Sequence, residues 1–389
     1  MKRFIIYILV VIIYQANNAV SQELEISGYY EPQYMGIVLD NEYSQLFSNK
    51  LRVDFQSSYT EDISFGANFD FITYHGKTKW NMLDYIPSGI ASTVPRRFRA
   101  SYEFNYNDTL FLDNAFVKLS VSKFDITLGK QQISLGTGYA WNPTDLFNIK
   151  DLADPTYEQP GHNAIRLDVA LSPRYSAILL GLPENDIKES GKLASLKGKV
   201  SHFDYSFTYI EKQWTLSDFI ANRFEENKRR LYGGDLVGEL FGLGVWSEFG
   251  YNTLKNYHDF WEILLGVDYT LDNGTYLMAE YYHNGMAKSD YKLYNLNDWM
   301  RFYIAESRSL SKDNLFLYCS YPLTDLLQFD NSLIISLSDR SFGIAPSLNY
   351  SLHDNVEMNM FLNHNFSSES KAYSKNLGTG CTLRLRIYF

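Results

Sequence analysis

Apolar and polar residues alternate along most of this chain. Leu51, Val53 and Phe55 fall on one side of an extended segment, with Arg52 and Asp54 on the other. Ile63, Phe65, Ala67, Phe69 and Phe71 oppose Asp62, Ser64, Asn68 and Asp70, and Phe98, Ala100, Tyr102 and Phe104 oppose Arg99, Ser101, Glu103 and Asn105. The pattern returns at Ile165 to Leu171, Phe203 to Tyr209, Ile263 to Leu271 and Met358 to Leu362. A period of two is that of a β-strand with unlike faces. The segments run about ten residues, the length of a tilted strand crossing a bilayer. Their polar faces carry charges and amides, as a water-filled lumen requires. Aromatic residues gather at segment ends (Tyr102, Phe104, Tyr106; Tyr388, Phe389), as interfacial girdles do. The pattern predicts an all-β fold, a transmembrane antiparallel β-barrel of about 18 strands, with 16 to 20 compatible with the segment count. A barrel of that width has an open or plugged interior rather than a packed one.

Turn chemistry divides the strands. Tyr106-Asn107-Asp108-Thr109 and Ser351-Leu352-His353-Asp354-Asn355 read as tight polar turns, and Asp272-Asn273-Gly274 as a hairpin. Longer connections are expected near 35–49, 75–96, 133–162, 183–191, 214–229, 252–259, 286–300 and 367–376. Residues 295–310 fit either a short helix or the start of a strand. Short turns belong at the periplasmic end of such a barrel and long loops outside. On this count the connection 133–162 emerges at the periplasmic end, so either a hairpin is miscounted or the segment is inserted into the lumen.

The two ends fit the same picture. Met1-Lys2-Arg3, an apolar run from Phe4 to Tyr14, and Ala19-Val20-Ser21 form a secretory signal, placing a signal peptide at 1–21 and the barrel at 22–389. The apolar run is too short to span a bilayer as a helix. At the other end Cys381, Leu383, Leu385, Ile387 and Phe389 share one face, while Thr382, Arg384, Arg386 and Tyr388 share the other. This last strand looks like the terminal strand of a bacterial outer-membrane barrel, with Phe389 as the signal read by the barrel-assembly machinery.

One stretch breaks the alternation. Residues 130 to 166 hold Gly136, Gly138, Pro143, Pro155, Pro160 and Gly161, which forbid one long strand or helix. They also hold Tyr139, Trp141 and Phe147, which forbid a solvated linker. Such a segment must pack, and a barrel offers its inner wall. Residues 133–162 are therefore expected to fold into the lumen and narrow it, with Tyr139, Trp141, Pro143 and Phe147 as anchors. Lys130, Asp145, Asp151, Asp154, Glu158 and Arg166 are the candidate constriction charges. They either line the solute path, with Asp145, Asp151 and Glu158 facing it, or neutralise one another in a structural network. Opposed charges across a narrow pore select solutes by charge and dipole.

The succession Gly129-Lys130-Gln131, Leu135-Gly136-Thr137-Gly138 and Asn142-Pro143-Thr144-Asp145-Leu146-Phe147-Asn148 resembles a porin-like family of outer-membrane barrels of Gram-negative bacteria. There the first two motifs read Gly-Arg-Gln and Trp-Gly-x-Gly, so Lys130 and Leu135 depart from the pattern. Asp154 to Glu158, Pro160 to Arg166 and Tyr318 to Asp325 are similar too. The resemblance implies a pore for passive diffusion of small hydrophilic solutes, but no particular solute.

Composition removes other classes. The chain has 31 Tyr, 26 Phe and 24 Gly against 10 Pro and 2 Cys, so disulfide scaffolding does not hold it. Cys319 and Cys381 fall at outward strand positions and read as small apolar residues. A formal charge of −10 argues against nucleic acid as a partner. The expected partners are outer-membrane lipid, lipopolysaccharide, the assembly machinery and small solutes, with Arg96-Arg97-Phe98-Arg99 a basic cluster at a loop. The oligomeric state is open. No phosphate loop, metal spacing or cofactor motif is present, and the chain does not read as an enzyme. The alternatives are an outer-membrane lipid hydrolase with His283 at the rim, or a plugged export or anchoring barrel. Tyr282-His283-Asn284-Gly285 lacks the serine two residues after the histidine that such hydrolases carry.

Overall fold

The computed structural model describes residues 24–39, 41–155, 157–184, 190–255, 257–368 and 370–389. The signal peptide expected at 1–21 lies outside the described residues. Chain order runs β1 (Leu24–Leu39), β2 (Glu42–Thr60), β3 (Ile63–Gly76), β4 (Lys79–Asn81), β5 (Glu103–Asn105), β6 (Thr109–Val121), β7 (Phe124–Gln131), β8 (His162–Ser172), β9 (Tyr175–Leu182) and β10 (Gly191–Val200). It continues with β11 (Phe203–Asp218), β12 (Arg223–Leu240), β13 (Leu243–Leu254), β14 (Phe260–Thr270), β15 (Tyr276–Asn284), β16 (Asp313–Pro322), β17 (Leu327–Ser336), β18 (Ser341–His353), β19 (Val356–Asn365) and β20 (Thr379–Tyr388).

Eighteen of these form one sheet in which each strand pairs antiparallel with its neighbour in the chain. β20 pairs back onto β1, from Tyr29 opposite Tyr388 to Val38 opposite Thr379, so the sheet closes and has no edge. β4 and β5 stand apart as a two-stranded ribbon. Alternation explains the closed form. Leu51, Phe69, Ile165, Leu179 and Leu265 point outward and are exposed, which only a lipid surround stabilises over such an area. Glu248, Glu262 and Glu280 point inward and are buried. Cys319 and Cys381 are free and half-buried, on the outward faces of β16 and β20.

Short turns, such as Ser122 and Lys123 between β6 and β7, collect at the end that also holds both termini of the described barrel. Long connections collect at the other. Five barrel strands precede the 132–161 connection, so it leaves from the long-loop end and not from the terminus end. The miscount has a local cause. The alternating run at Phe98 to Phe104 is no barrel strand: Arg96–Tyr102 is a 3-10 helix, leaving only the short β5. Pro95 sets its start, and Arg99 donates to the Val94 and Ala91 carbonyls. Tyr106 to Asp108 likewise lies in this outer connection, which ends where β6 begins at Thr109, rather than in a barrel hairpin. The loops expected at 35–49 and 214–229 are mostly strand. β1 runs to Leu39 and β2 restarts at Glu42, while β11 and β12 are separated only by 219–222. These residues do not alternate cleanly, because the strands extend beyond the apolar belt into water.

The long connections fold inward. Residues 295–310 contain the helix Leu296–Tyr303, opened by a capping box between Asn295 and Asp298. Trp299 and Met300 on this helix bury against Leu83, Ile86 and Val94 from the 77–108 connection and Tyr373 from the 366–378 connection. The same cluster includes Trp141.

Candidate functional site

The chain turns into the lumen after Gln131, and the two glycines of the Gly-Thr-Gly motif determine how it lies there. Ile133, Leu135 and Leu146 bury against Leu193, Ile210 and Leu231 of the wall. Gly136 adopts φ +79°, and a Cβ on it would lie 2.5 Å from Glu248 Oε1. A Cβ on Gly138 would collide with the Trp141 carbonyl. With both side chains absent, the backbone presents its N–H groups to the wall. Gly138 N donates to Glu248 Oε1 at 2.6 Å, and Thr137 N donates to the same oxygen. Thr144 donates to Oε2 through its N at 3.2 Å and its hydroxyl at 2.9 Å. Two strands further, Tyr139 N donates to Glu280 Oε1 and Ala140 N to Glu280 Oε2 at 2.7 Å, while Trp246 Nε1 also donates to Glu280. Two buried wall carboxylates on β13 and β15 thus clamp one loop of backbone through charge-assisted hydrogen bonds. Trp141 completes the anchorage, stacked flat on Tyr282 with ring centroids 5.1 Å apart.

Beyond the clamp the segment crosses the barrel. Lys150 Nζ donates to the Gly138 and Tyr139 carbonyls, which pins the start of the crossing. At the far wall Asp154 accepts from Arg384 of β20 at 2.8 Å, and the Tyr157 hydroxyl donates to Glu31 of β1. Glu158 Oε2 accepts from Tyr29 at 2.7 Å, Lys50 at 3.0 Å and Arg52 at 3.3 Å. Burial by itself raises the Glu158 carboxyl. Lys50, Tyr29 and Arg52 outweigh it and hold the group below the usual glutamate range. The contact is therefore kept through the neutral and mildly acidic range and is lost only as pH falls below the usual glutamate range. The Arg384 guanidinium lies 4.6 Å from the Tyr157 ring centre. Asp154, Tyr157, Glu158 and Arg384 line a cavity of about 200 Å³ on the terminus side. The same four line a cavity of about 420 Å³ on the long-loop side.

The expected site residues separate into groups. Tyr139, Trp141, Pro143 and Phe147 lie against the inner wall, where Phe147 packs on His162 and under Lys212. Asp154 and Glu158 reach the far wall, and Asp151 lines the long-loop cavity. Asp145 is not on the path. It is 2 % exposed and accepts from Leu135 N, Phe147 N and both nitrogens of Asn148, so its own segment consumes it. Lys130 is not in the lumen either, because it shares the lipid-side face of β7 with Leu128 and donates to the Leu112 carbonyl at 2.6 Å. Arg166 faces inward but pairs bidentately with Asp168 on its own strand. Asp145→Asn is consequently expected to leave ion selectivity unchanged and to cost about 1–3 kcal/mol of segment stability. A shifted reversal potential in this variant, with an unchanged melting temperature, contradicts the assignment.

Several residues of the site carry no local signal. Glu248 and Glu280 are single carboxylates on alternating strands, and nothing nearby in sequence marks the backbone they hold. The hint was their inward position among apolar neighbours, Trp246 and Tyr282. Arg229 and Arg308 share the buried Glu262, each at 2.8 Å, and Arg308 also donates to the Asp145 carbonyl. That tie joins the 285–312 connection to the lumenal segment. His283 sits on the outward face of β15 with Nδ1 2.7 Å from Asp313 Oδ1. Gly285 holds the position two residues on, where its N donates to the Trp261 carbonyl.

No protein-family model and no curated protein matches the chain. Solved structures do. Acinetobacter baumannii OccAB4 aligns with TM-score 0.56 at 10 % identity, over 96 % of this chain and 99 % of that one. Pseudomonas aeruginosa OccK5 (OpdH) aligns with TM-score 0.56 at 12 % identity, over 94 % and 97 %. P. aeruginosa OccK11 (OpdR) aligns with TM-score 0.55 at 13 % identity, over 94 % and 95 %. At these identities the likeness is one of fold.

Proposed function

We propose that this chain is a passive channel of the bacterial outer membrane for small hydrophilic solutes, narrowed by the lumenal segment at 133–162. The observation that carries the reading is the arm formed by 151–160. It crosses from the clamped wall to β1, β2 and β20 and separates two cavities that share its residues. Asp151, Asp154 and Glu158, with Lys50, Arg52 and Arg384, are the charges of the narrow zone. The closed, outwardly apolar barrel supports membrane residence, and its likeness to the Occ channels supports transport over catalysis. Lipopolysaccharide and outer-membrane lipid are the surroundings this exterior fits. Refolded protein is expected to give discrete conductance steps in planar bilayers and a size cut-off in liposome swelling. A pure, folded barrel without conductance overturns the proposal in favour of a plugged one.

The terminal residue has its place in assembly. Phe389 and Gly28 exchange two backbone hydrogen bonds of 3.1 Å, so the last residue extends the β20–β1 seam, and its ring is exposed on the outward side. Deleting Phe389 is expected to lower the amount of barrel in the outer membrane while inserted protein conducts as before. Full insertion of the truncated chain in cells counts against this role.

A further inference from the structure

The charges around the passage do not balance. The carboxylates of Glu31, Asp70, Asp113, Asp154 and Glu158 share four cations, Lys50, Arg52, Arg384 and Arg386, through contacts of 2.6 to 3.7 Å. Every cation on the two cavities is thereby occupied. Three more carboxylates line the same cavities, Asp151, Asp330 and Glu357. Among the described residues none of the three has a cation at ion-pair distance. Asp330 accepts from the Gln328 and Asn349 amides, Glu357 from the Tyr388 hydroxyl and Asp151 from Ala153 N. Arg386 stands directly across from Glu357 in the sheet but turns to Glu31, 2.6 Å away. Eight carboxylates against four cations leave four negative charges along the path.

Their placement matters as much as their number. Asp330 and Glu357 open onto the terminus-side cavity, beside the amides of Asn349 and Asn359. The Tyr139 and Tyr318 rings form another part of its wall, with centroids 5.5 Å apart. Carboxylates beside aromatic faces attract a compact cation, by charge and by ring quadrupole. A narrow passage with low-dielectric walls strengthens that bias. We infer that the passage selects cations, and that Asp330 and Glu357 of this cavity set the preference. The inference rests on the channel reading above.

Reversal potentials across a KCl gradient test it. The wild-type channel is expected to pass K⁺ over Cl⁻ by at least about threefold. The double substitution Asp330→Asn, Glu357→Gln is expected to bring that ratio towards unity. A wild-type ratio at or below one overturns the inference, as does a ratio unmoved by the double substitution. No current at all overturns the channel reading, and this inference with it.

Discussion

Replacing 133–160 by a four-residue Gly/Ser turn is expected to raise single-channel conductance by at least about threefold, since a barrel of 18 strands is wide enough for an aqueous channel once its interior is cleared. The graft is geometrically simple. β7 and β8 pair up to Gln131 opposite His162, so the two chain ends already lie side by side. Removal takes away the arm at 151–160 and, with it, Asp154, Tyr157 and Glu158 from both cavities. The wall pairs on either side keep their registers, because each strand is held by its neighbours and not by the lumen. Some of the gain is offset at the long-loop end, where the helix Leu296–Tyr303 and its neighbours remain. Unchanged conductance in a shortened, heat-modifiable barrel shows that the narrow zone is elsewhere, in those outer connections.

The second large effect is expected at the clamp. In Glu248→Gln with Glu280→Gln, each amide keeps one acceptor oxygen and turns its NH₂ towards backbone N–H groups that the carboxylate had bound. Each site then loses about 2 kcal/mol, from lost charge-assisted bonds and buried donors left unpaired. The barrel still closes, since both side chains project from intact strands. The segment comes loose. Open-channel current becomes noisy, and trypsin cuts after Lys150, whose ammonium is held by the Gly138 and Tyr139 carbonyls in the native chain. A quiet current and continued resistance to trypsin refute the clamp.

The strand pattern was legible because a β-strand in a barrel meets only two environments, lipid and lumen. Leu383, Leu385 and Ile387 against Arg384 and Arg386 record that choice residue by residue, and no distant contact alters it. Where a segment meets neither environment in a regular way, the same pattern misleads. Phe98 to Tyr102 alternates yet winds as a 3-10 helix, because this part of the loop lies outside the sheet with no neighbouring strand to complete its hydrogen bonds. The polar residues around Asp40 and Asn222 concealed strands for the converse reason. Beyond the apolar belt, pairing continues while alternation stops.

By itself, then, the sequence determined an alternating closed barrel and a central stretch of Gly, Pro and aromatic residues that had to pack inside it. It also supplied two glycines whose need became plain only beside Glu248. Tertiary structure alone decided which charges meet. Glu158 finds Lys50 and Arg52, which lie 108 and 106 positions away along the chain, and Asp154 finds Arg384, 230 positions away. Asp145, chosen from sequence as a pore charge, instead satisfies four donors of its own segment. The physical reason is range. Alternation is written between residues i and i+2, whereas an ion pair across a lumen depends on where closure of the whole barrel brings two strands that have no local knowledge of each other.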